Sequence, residues 1–437
     1  MVNSRDKQFY YLCIHLKVKK NISFHTLGCK LNFSETSTLR RQFSEEEYNV
    51  QKSKEDLDVY VLNTCSVTNN ANKEARQIVR KVKRANPNAT VVVTGCYAQL
   101  KPEEIAEIDG VDLVIGAQEK FNLKKHLDQY DRDGLSKICS CDIDTVEDFH
   151  TSHSINDRTR TFLKVQDGCD YNCSFCTIPM ARGKSRSDTI ENVLNNLEEL
   201  SKGGTQEVIL TGVNLGDFGK GMSEKHTESF FELAKAIDQQ AAIPRYRISS
   251  IEPNLLSEEI IELVAQSKCF MPHFHIPLQS GSPEILGKMR RRYRRDLYRN
   301  RIELIKKRMP HCSIGVDVIV GFPGETNEHF QETHDFLHEL DVSYLHVFTY
   351  SERENTLANE MRPIIPNRTR DERNAILRNL SDKKLNHFRE QFKGKKRPTL
   401  FEHENKDGKM YGYTDNYLRM STSFEEILVN KVVDWTV

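Results

Sequence analysis

The sequence predicts an α/β protein in which two parallel β/α domains are followed by a small antiparallel β domain. Short β-branched runs alternate with helix-length segments over most of the chain, and strand, helix, strand in that order implies a parallel sheet. After residue 392 the pattern changes to short strands with turn signals, which is typical of an antiparallel barrel. The predicted parts are an open parallel α/β sheet domain at 20–130, a linker at 131–157, a partial (β/α)6 barrel at 158–366, a connecting helix at 367–392 and a β-barrel at 393–437.

Composition supports a globular protein of several domains. The chain has 437 residues, 38% of them hydrophobic and 29% charged, which is enough for a sizeable core. No apolar run approaches the length of a membrane span, so we expect a cytoplasmic protein with no membrane partner. In a reducing compartment, 11 cysteines indicate metal binding more than disulfides. The 63 basic and 63 acidic residues cancel, so a polyanionic partner must meet a local basic face.

The N-terminal domain starts with four β-branched runs, at 22–27, 58–63, 90–94 and 112–115. Helices are predicted from a cap at Asn32 or Ser34 through Glu46, and over 68–84, where apolar residues recur at helical spacing. Residues 1–19 show no clear period, and we predict no structure for them.

One cysteine follows each of the first three strands. Cys29 lies in TLGCKLN, Cys65 in NTCSVT and Cys96 in TGCYAQ. The carboxyl ends of parallel strands share one edge, where ligands bind, so these thiols are expected to converge there. Three thiols in the same register predict an iron–sulfur cluster with one iron left open. The alternative is that cysteines are simply frequent in buried strands.

The barrel domain carries a denser group of thiols just after its first strand. In DGCDYNCSFC, residues 167–176, the cysteines are Cys169, Cys173 and Cys176. A ferredoxin-type 4Fe-4S cluster takes a fourth cysteine, and the next one downstream is the distant Cys269, so one iron is expected to stay open. An open iron can chelate S-adenosylmethionine and reduce its sulfonium to give a 5′-deoxyadenosyl radical. The alternatives are a zinc loop or unrelated thiols, but no second CxxC or His pair follows at zinc-finger spacing.

Six runs are predicted as barrel strands, at 160–165, 207–211, 246–250, 273–277, 314–320 and 344–349. A parallel barrel places its site at the carboxyl ends of its strands. The three-cysteine loop follows the first strand and therefore lies at that end.

The four cysteine segments resemble those of the radical S-adenosylmethionine methylthiotransferases, and the resemblance extends from about Asn21 onward. The segments TLGCKLNFSE and NTCSVTNNANKEARQ are most similar to those of the branch that acts on N6-threonylcarbamoyladenosine beside the tRNA anticodon. The Gly-Cys-Gln-Met-Asn type of segment usual in the isopentenyladenosine branch is absent. The resemblance also implies that the C-terminal domain is a TRAM-like RNA-binding module.

The resemblance implies a reaction and its cofactors. It implies methylthiolation of the threonylcarbamoylated adenosine at position 37, with two [4Fe-4S] clusters and two molecules of S-adenosylmethionine per turnover. One cluster, on Cys29, Cys65 and Cys96, would carry the sulfur. The other, on the catalytic Cys169, Cys173 and Cys176, would generate the radical. Implied partners are tRNA, an electron donor such as flavodoxin or ferredoxin, and a sulfur source. Rival functions are methylthiolation of isopentenyladenosine or of a ribosomal-protein aspartate, and a non-catalytic iron–sulfur protein that binds RNA or transfers electrons.

Residues near the strand ends are candidate cofactor ligands. They are Arg182, Asn214, Glu252, Gln279 and Phe322. Asn214 stands in TGVN where many radical enzymes have glutamate. Arg182 either binds a carboxylate through two hydrogen bonds or closes a surface turn. Phe322 either stacks on the adenine or packs against the protein. Asp317 is a further candidate for a ribose or substrate contact.

Candidate RNA contacts fall in two basic segments. Residues 288–308 are rich in Lys and Arg, and the C-terminal domain combines basic residues with tyrosines. The predicted contacts are Arg290, Arg291, Arg292, Lys395, Lys396, Tyr411 and Tyr413, because such groups neutralise phosphates and stack on bases. The alternatives are a solvated charged face and a structural cap with inward tyrosines. Cys139 and Cys141 in the linker are spare ligands, a redox pair or locally packed thiols.

Overall fold

The computed structural model describes residues 19–66, 69–130, 137–155, 159–220 and 228–437. The chain divides into two compact units, Met1–Ile143 and Asp144–Val437. Residues 1–18, Thr68 at the start of a predicted helix and part of the predicted linker lie outside the described residues. Across the described ranges, no helix combines the length and the apolarity needed to cross a lipid bilayer.

The first unit is built on a parallel sheet of six strands in the order β2-β1-β3-β4-β5-β6. Its strands are β1 (Lys20–Thr26), β2 (Tyr48–Gln51), β3 (Val59–Thr64), β4 (Thr90–Gly95), β5 (Leu113–Ile115) and β6 (Ile138–Cys139). The four predicted strands are confirmed. β2 and β6 were missed because both are short edge strands, and β6 lies in what the sequence predicts as linker.

Five α-helices accompany this sheet in the described part of the unit. They are α1 (Lys30–Arg40), α2 (Asn69–Ala85), α3 (Cys96–Leu100), α4 (Pro102–Ala106) and α5 (Leu123–Gln129). The predicted cap at Asn32 or Ser34 is wrong, because α1 is capped by Cys29 in extended backbone and ends at Arg40. The Asn32 amide instead donates to the carbonyls of Leu27 (2.9 Å) and Thr64 (3.0 Å), which ties the first turn of α1 to two strand ends.

The second unit contains the six predicted barrel strands, all confirmed. They are β8 (Arg160–Lys164), β11 (Glu207–Thr211), β12 (Arg245–Ile248), β13 (His273–His275), β14 (Ser313–Val320) and β15 (Tyr344–Thr349). They form parallel sheets β12-β11-β8 and β13-β14-β15, and the parallel bridge Ser250↔His275 joins the two. Two short strands, β7 (Ser152–His153) and β9 (Gln166–Asp167), flank β8, and β10 (Arg186–Ser187) pairs with β9.

Nine helices belong to this unit within its described residues. They are α6 (Ile178–Arg182), α7 (Ile190–Lys202), α8 (Phe230–Gln240), α9 (Glu258–Gln266), α10 (Pro283–Lys288), α11 (Arg295–Arg308), α12 (Asn327–Glu339), α13 (Leu357–Glu360) and α14 (Asn367–Glu390). α14 is the predicted connecting helix, although it ends two residues before the predicted 392.

Residues along the barrel strands alternate between two faces. One set, such as Leu210, Ile276 and Val316, belongs to the apolar core that also contains the helix residues. Because successive strand residues point to opposite faces, the other set lines the concave side of the sheets, which we call the lumen. Most of the lumen set is polar, and its polar members include Arg160, Glu207, Arg245, Arg247, His273, His275, Asp317, Tyr344 and His346.

The C-terminal sheet is antiparallel, in the order β18-β17-β16-β19. Its strands are β16 (Lys396–Phe401), β17 (Lys409–Thr414), β18 (Arg419–Ser423) and β19 (Val432–Thr436). The turn after β17 docks on the barrel, because Arg247 donates to the carbonyls of Thr414 (2.7 Å) and Asp415 (2.9 Å). The Tyr417 ring stacks on His273 with centroids 4.0 Å apart. The sheet therefore closes the end of the lumen at which the barrel strands begin.

A buried ion cluster holds this junction. The Glu207 carboxylate is fully buried and lies 2.8 Å from Arg245 Nε and 2.9 Å from Arg247 Nε. Burial opposes ionisation of Glu207, yet Arg247 and Arg245 together keep its pKa below the usual range. The same two arginines bind the C-terminal sheet through Tyr413, Thr414 and Asp415 carbonyls.

We therefore expect Glu207→Ala to lower the free energy of unfolding by about 3 to 5 kcal/mol, because it leaves buried guanidinium groups uncompensated. Urea unfolding of the full chain measures this. Glu372→Ala is the matched control: its pair with Arg368 on α14 is exposed, so a loss of about 0.5 kcal/mol or less is expected. Equal losses in the two variants would contradict the role of Glu207.

Candidate functional site

The cysteine loop after β9 is held by close backbone contact. Gly168 has φ +70°, and a Cβ placed on it would lie 1.9 Å from the Lys184 carbonyl oxygen. Only glycine allows this approach. The Cys169 N–H then donates to the Gly183 carbonyl at 3.0 Å. The backbone is therefore set before any side chain binds a ligand.

Each sulfur of the loop accepts a hydrogen bond from an N–H group. The donors are the backbone N–H of Tyr171 to Cys169 Sγ (3.4 Å), that of Ile178 to Cys176 Sγ (3.4 Å), and Arg291 Nη1 to Cys173 Sγ (3.1 Å). Hydrogen bonds to the sulfurs are among the means by which proteins tune iron–sulfur clusters. The three thiols thus fit a metal cluster, a fit that spacing alone could not test.

The thiols need a cation to ionise. Burial first, and then the thiols of Cys176 and Cys173, raise the pKa of Cys169 to about 12. Burial also raises the pKa of Cys176 to about 11. Since a metal ligand must be the thiolate, iron would supply the positive charge that favours the thiolate at Cys169 and Cys176.

Asp167, two residues before Cys169, gathers three cations behind the loop. Its carboxylate lies 2.9 Å from Arg182 Nη1, 3.2 Å from Lys164 Nζ and 3.7 Å from Arg186 Nη2. All four side chains are at least nine-tenths buried. Arg182, predicted to meet a cofactor carboxylate, thus contacts a carboxylate of the protein itself.

Arg291 lies at the cysteine loop and not on the RNA surface where the sequence suggests it. Its side chain is 5% exposed, and it contacts Cys173, Glu252 and the Tyr293 hydroxyl (3.2 Å). The reason is local packing: the Ser174 hydroxyl donates to the Lys288 carbonyl (2.7 Å), which draws the segment after α10 onto the loop. Burial at this position does not fit a phosphate contact.

The neighbouring arginines remain outside. Arg290 and Arg292 are exposed, and the Arg292 guanidinium lies over the Tyr171 ring, 4.0 Å from its centroid. Arg290 and Arg292 thus form an exposed basic rim on one side of the loop.

Of the C-terminal candidates, Lys395 and Lys396 are exposed and Tyr411 lies under Arg419. Tyr413 stacks on Tyr417 and under Arg160 at the lumen, as in the structural-cap alternative.

Two other predicted cofactor residues lie beside the loop. Asn214 is buried, and its side-chain amide donates to Asp217 Oδ2 at 2.8 Å. Glu252 is paired with Arg291, but burial dominates and raises the Glu252 pKa. Asp217, which sequence reasoning missed, is fully buried and close enough to disfavour ionisation of both Cys169 and Glu252. The signal was an acid three residues after Asn214, in TGVNLGD.

Gln279 and Phe322 have different surroundings. Gln279 has φ +68° and its N–H donates to the Asp317 carbonyl at 2.9 Å, so it follows β13 beside β14. Phe322 is fully buried, and its ring makes edge contacts with Phe175 of the cysteine loop (6.5 Å) and with Tyr350 (5.6 Å). Phe322 therefore supports the loop by packing.

The first unit brings its three cysteines to one sheet edge. Thr64 pairs with Gly95 in the register of β3 and β4, so Cys65 and Cys96 come next on neighbouring strands. Gly28, with φ +100°, approaches so closely that a Cβ on it would lie 2.7 Å from Cys65 Sγ. Cys29 follows directly at the start of α1. The three thiols thus leave adjacent strands at the same edge.

The ten described cysteines form no disulfide. Of the two linker thiols, Cys139 lies in β6 and Cys141 Sγ contacts Gln118 Oε1 at 3.0 Å. Both are packed locally within the first unit.

A partial parallel barrel with a three-cysteine loop after its first strand defines a radical S-adenosylmethionine enzyme. The Radical SAM superfamily matches residues 163–337, and the Uncharacterized protein family UPF0004 matches residues 21–116. The threonylcarbamoyladenosine tRNA methylthiotransferase MtaB of Bacillus subtilis (strain 168) is 38% identical over 422 residues, which cover 94% of this chain and 92% of that protein. The chain belongs to the threonylcarbamoyladenosine tRNA methylthiotransferase family.

Two other relatives are similar over more than nine-tenths of each chain. MtaB of Aquifex aeolicus (strain VF5) is also 38% identical, covering 91% of this chain and 95% of that protein. The tRNA-2-methylthio-N(6)-dimethylallyladenosine synthase of Clostridium tetani is 28% identical, covering 95% and 93%. Among solved structures, the radical S-adenosylmethionine methyltransferase TsrM of Kitasatospora setae, with cobalamin and a [4Fe-4S] cluster bound, has a TM-score of 0.56 at 14% identity, covering 78% of this chain and 77% of that one. That likeness concerns the fold.

We expect Arg291→Ala to shift the reduction midpoint of the reconstituted loop cluster to more negative values, because it removes a cation and an N–H donor from Cys173. A redox titration followed by electron paramagnetic resonance measures the midpoint. Arg294→Ala is the matched control, since that arginine is exposed three residues away. An unchanged midpoint in Arg291→Ala would contradict the role assigned to this contact.

Proposed function

We propose that this chain converts N6-threonylcarbamoyladenosine at position 37 of tRNA, 3′ of the anticodon, to its 2-methylthio derivative. The observation that carries the proposal is the pattern of identities. Five threonylcarbamoyladenosine tRNA methylthiotransferases are 32% to 38% identical to the chain, whereas three dimethylallyladenosine synthases of similar coverage are 28% to 30% identical. The substrate assignment follows the more similar group.

The target bond explains why such a site is needed. An aromatic C–H is inert towards the nucleophiles this chain presents. When bound, a [4Fe-4S] cluster and S-adenosylmethionine supply the one-electron chemistry that opens it. The protein holds the cluster with Cys169, Cys173 and Cys176, donates N–H groups to their sulfurs, and fixes the loop from behind through Asp167.

We assign the remaining predicted ligands by their surroundings. Asn214, Glu252 and Gln279 lie near the loop or the strand ends and are proposed to bind S-adenosylmethionine. Arg182 and Phe322 are buried behind the loop, so we propose that they position it. The cysteines of the first unit, Cys29, Cys65 and Cys96, are proposed to hold a second [4Fe-4S] cluster that carries the sulfur, with two molecules of S-adenosylmethionine used per turnover.

The proposed RNA surface consists of exposed basic residues and one tyrosine. They are Arg290, Arg292, Lys395, Lys396 and Tyr411. An electron donor such as flavodoxin or ferredoxin and a sulfur source complete the proposed partners, and the reaction is proposed to take place in the cytoplasm.

The proposal is tested with anaerobically reconstituted protein, S-adenosylmethionine, a reductant and an anticodon stem-loop bearing threonylcarbamoyladenosine. We expect mass spectrometry of the digested RNA to show a methylthio group on that nucleoside. Replacing either cysteine triplet by alanine is expected to abolish the product and to remove about half of the iron, on the order of four atoms per chain.

The matched control is the pair Cys139→Ala and Cys141→Ala, which should keep both product and iron. A product that appears only on isopentenyladenosine RNA would contradict the substrate. Full iron content after loss of the first triplet would contradict the second cluster.

We also expect replacement of Lys395 and Lys396 by alanine to weaken RNA binding similarly for all sequences and to reduce the slope of log K against log salt by about 1 to 2. Fluorescence anisotropy over a salt series measures this. Lys235→Ala on α8, which removes another exposed lysine, is the control. An unchanged slope would exclude these lysines from the RNA contact.

A further inference from the structure

Three polar residues meet in the lumen on three neighbouring strands. They are His275 on β13, Asp317 on β14 and His346 on β15, and one ligand atom from each lies within 4.8 Å of the others. Asp317 is paired directly with His346 in the strand register. His275 Nε2 lies 2.9 Å from Asp317 Oδ1, and the two imidazole rings stack with centroids 5.3 Å apart. We call these residues the lumen triad.

The triad lies next to the candidate cofactor residues. The Asp317 carbonyl accepts from the Gln279 N–H at 2.9 Å. Asp317 is also near enough to Glu252 to disfavour ionisation of that carboxyl, after burial and Asp217. Glu252 in turn pairs with Arg291, which contacts Cys173. A short series of interactions, electrostatic between Asp317 and Glu252 and direct from Glu252 to Arg291 and Cys173, therefore links the triad to the cysteine loop.

The lumen is closed on one side of the triad and open on the other. On the closed side, His273 contacts the Tyr344 hydroxyl at 2.9 Å and Tyr417 stacks on His273. On the open side, His346 is exposed and Phe348, two residues further along β15, is 45% exposed. An exposed aromatic ring beside three polar groups in a concave site is typical of a ligand subsite.

We propose that the lumen triad binds the threonylcarbamoyl arm of the substrate, an inference that rests on the proposed function. The arm carries a carboxylate, a hydroxyl and urea N–H groups. An imidazole N–H of His346 donates to the carboxylate, and Asp317, oriented by His275 Nε2 at 2.9 Å, accepts from the hydroxyl or a urea N–H. Phe348 packs against the apolar part of the nucleoside.

The geometry of the substrate agrees with this position. The arm is attached at N6 and the reacting carbon is C2, and both lie on the Watson–Crick side of the adenine. An arm held by the triad therefore brings the adenine edge that carries C2 into the same lumen. A site that hydrogen-bonds the arm also discriminates against an unmodified adenosine, because its polar groups would then lose their partners.

The test compares binding of two anticodon stem-loops, one with threonylcarbamoyladenosine and one with unmodified adenosine, by fluorescence anisotropy. We expect His346→Ala and Asp317→Asn each to raise the Kd for the modified RNA about tenfold, which corresponds to about 1.4 kcal/mol, with no change for the unmodified RNA. His334→Ala is the matched control, since His334 lies on α12 outside the lumen, and it should preserve the preference of the native protein.

The outcomes separate the two proposals. If native protein methylthiolates the modified RNA but both variants keep its preference, the triad is not the arm subsite. If native preference appears only with added Zn²⁺ and is lost with a chelator, the triad holds a cation, as two histidines and a carboxylate can, and the direct contact is overturned. If native protein neither prefers nor modifies threonylcarbamoyladenosine, the proposed function itself fails.

Discussion

The ion pairs of the buried Asp167 carboxylate are the interaction on which the cysteine loop of the second unit depends. The carboxylate draws Arg182, Lys164 and Arg186 together behind the cysteine loop. A buried carboxylate is tolerated only when it is paired, so this cluster holds β8, β9 and α6 in one arrangement. The loop then presents its three sulfurs to backbone and guanidinium N–H groups.

Arg291 holds the cysteine loop at Cys173, away from the Asp167 ion pairs. It carries one of the three N–H donors to sulfur and also compensates Glu252. The loop therefore lies between two groups of cations. The lysine and two arginines behind it are held by Asp167, and Arg291 contacts Cys173 directly. This environment suits thiolates that bear the charge of a cluster, and it explains why part of the arginine-rich segment folds inward while Arg290 and Arg292 stay on the rim.

The lumen is unusual for its charge. A barrel interior is commonly filled by branched apolar side chains, but here it holds Glu207 with its arginines at the closed end and the lumen triad further along. The C-terminal sheet makes this possible, because its carbonyls accept from Arg245 and Arg247 and its Tyr417 covers His273. The C-terminal sheet thus covers one end of the lumen with Tyr413 and Tyr417, while Lys395 and Lys396 stay exposed.

How much the sequence could predict varied with the range of the interaction. Most strands of the parallel sheets followed from β-branched runs, because period and composition are local properties. The convergence of Cys29, Cys65 and Cys96 also followed, since parallel strands end at one edge. The cap of α1 was missed because the Asn32 side chain donates to two carbonyls of other elements. The edge strand β6 was missed because its two residues are too few to show a period.

By itself, the sequence determined where most of the strands of the parallel sheets lie, the two cysteine triplets and the family. Those are properties of spacing and identity along one chain. Only the tertiary structure decided which charges are buried, that Arg291 contacts Cys173, and that His275, Asp317 and His346 meet. The reason is that burial and pairing depend on residues far apart in the chain, whose contacts no local pattern records.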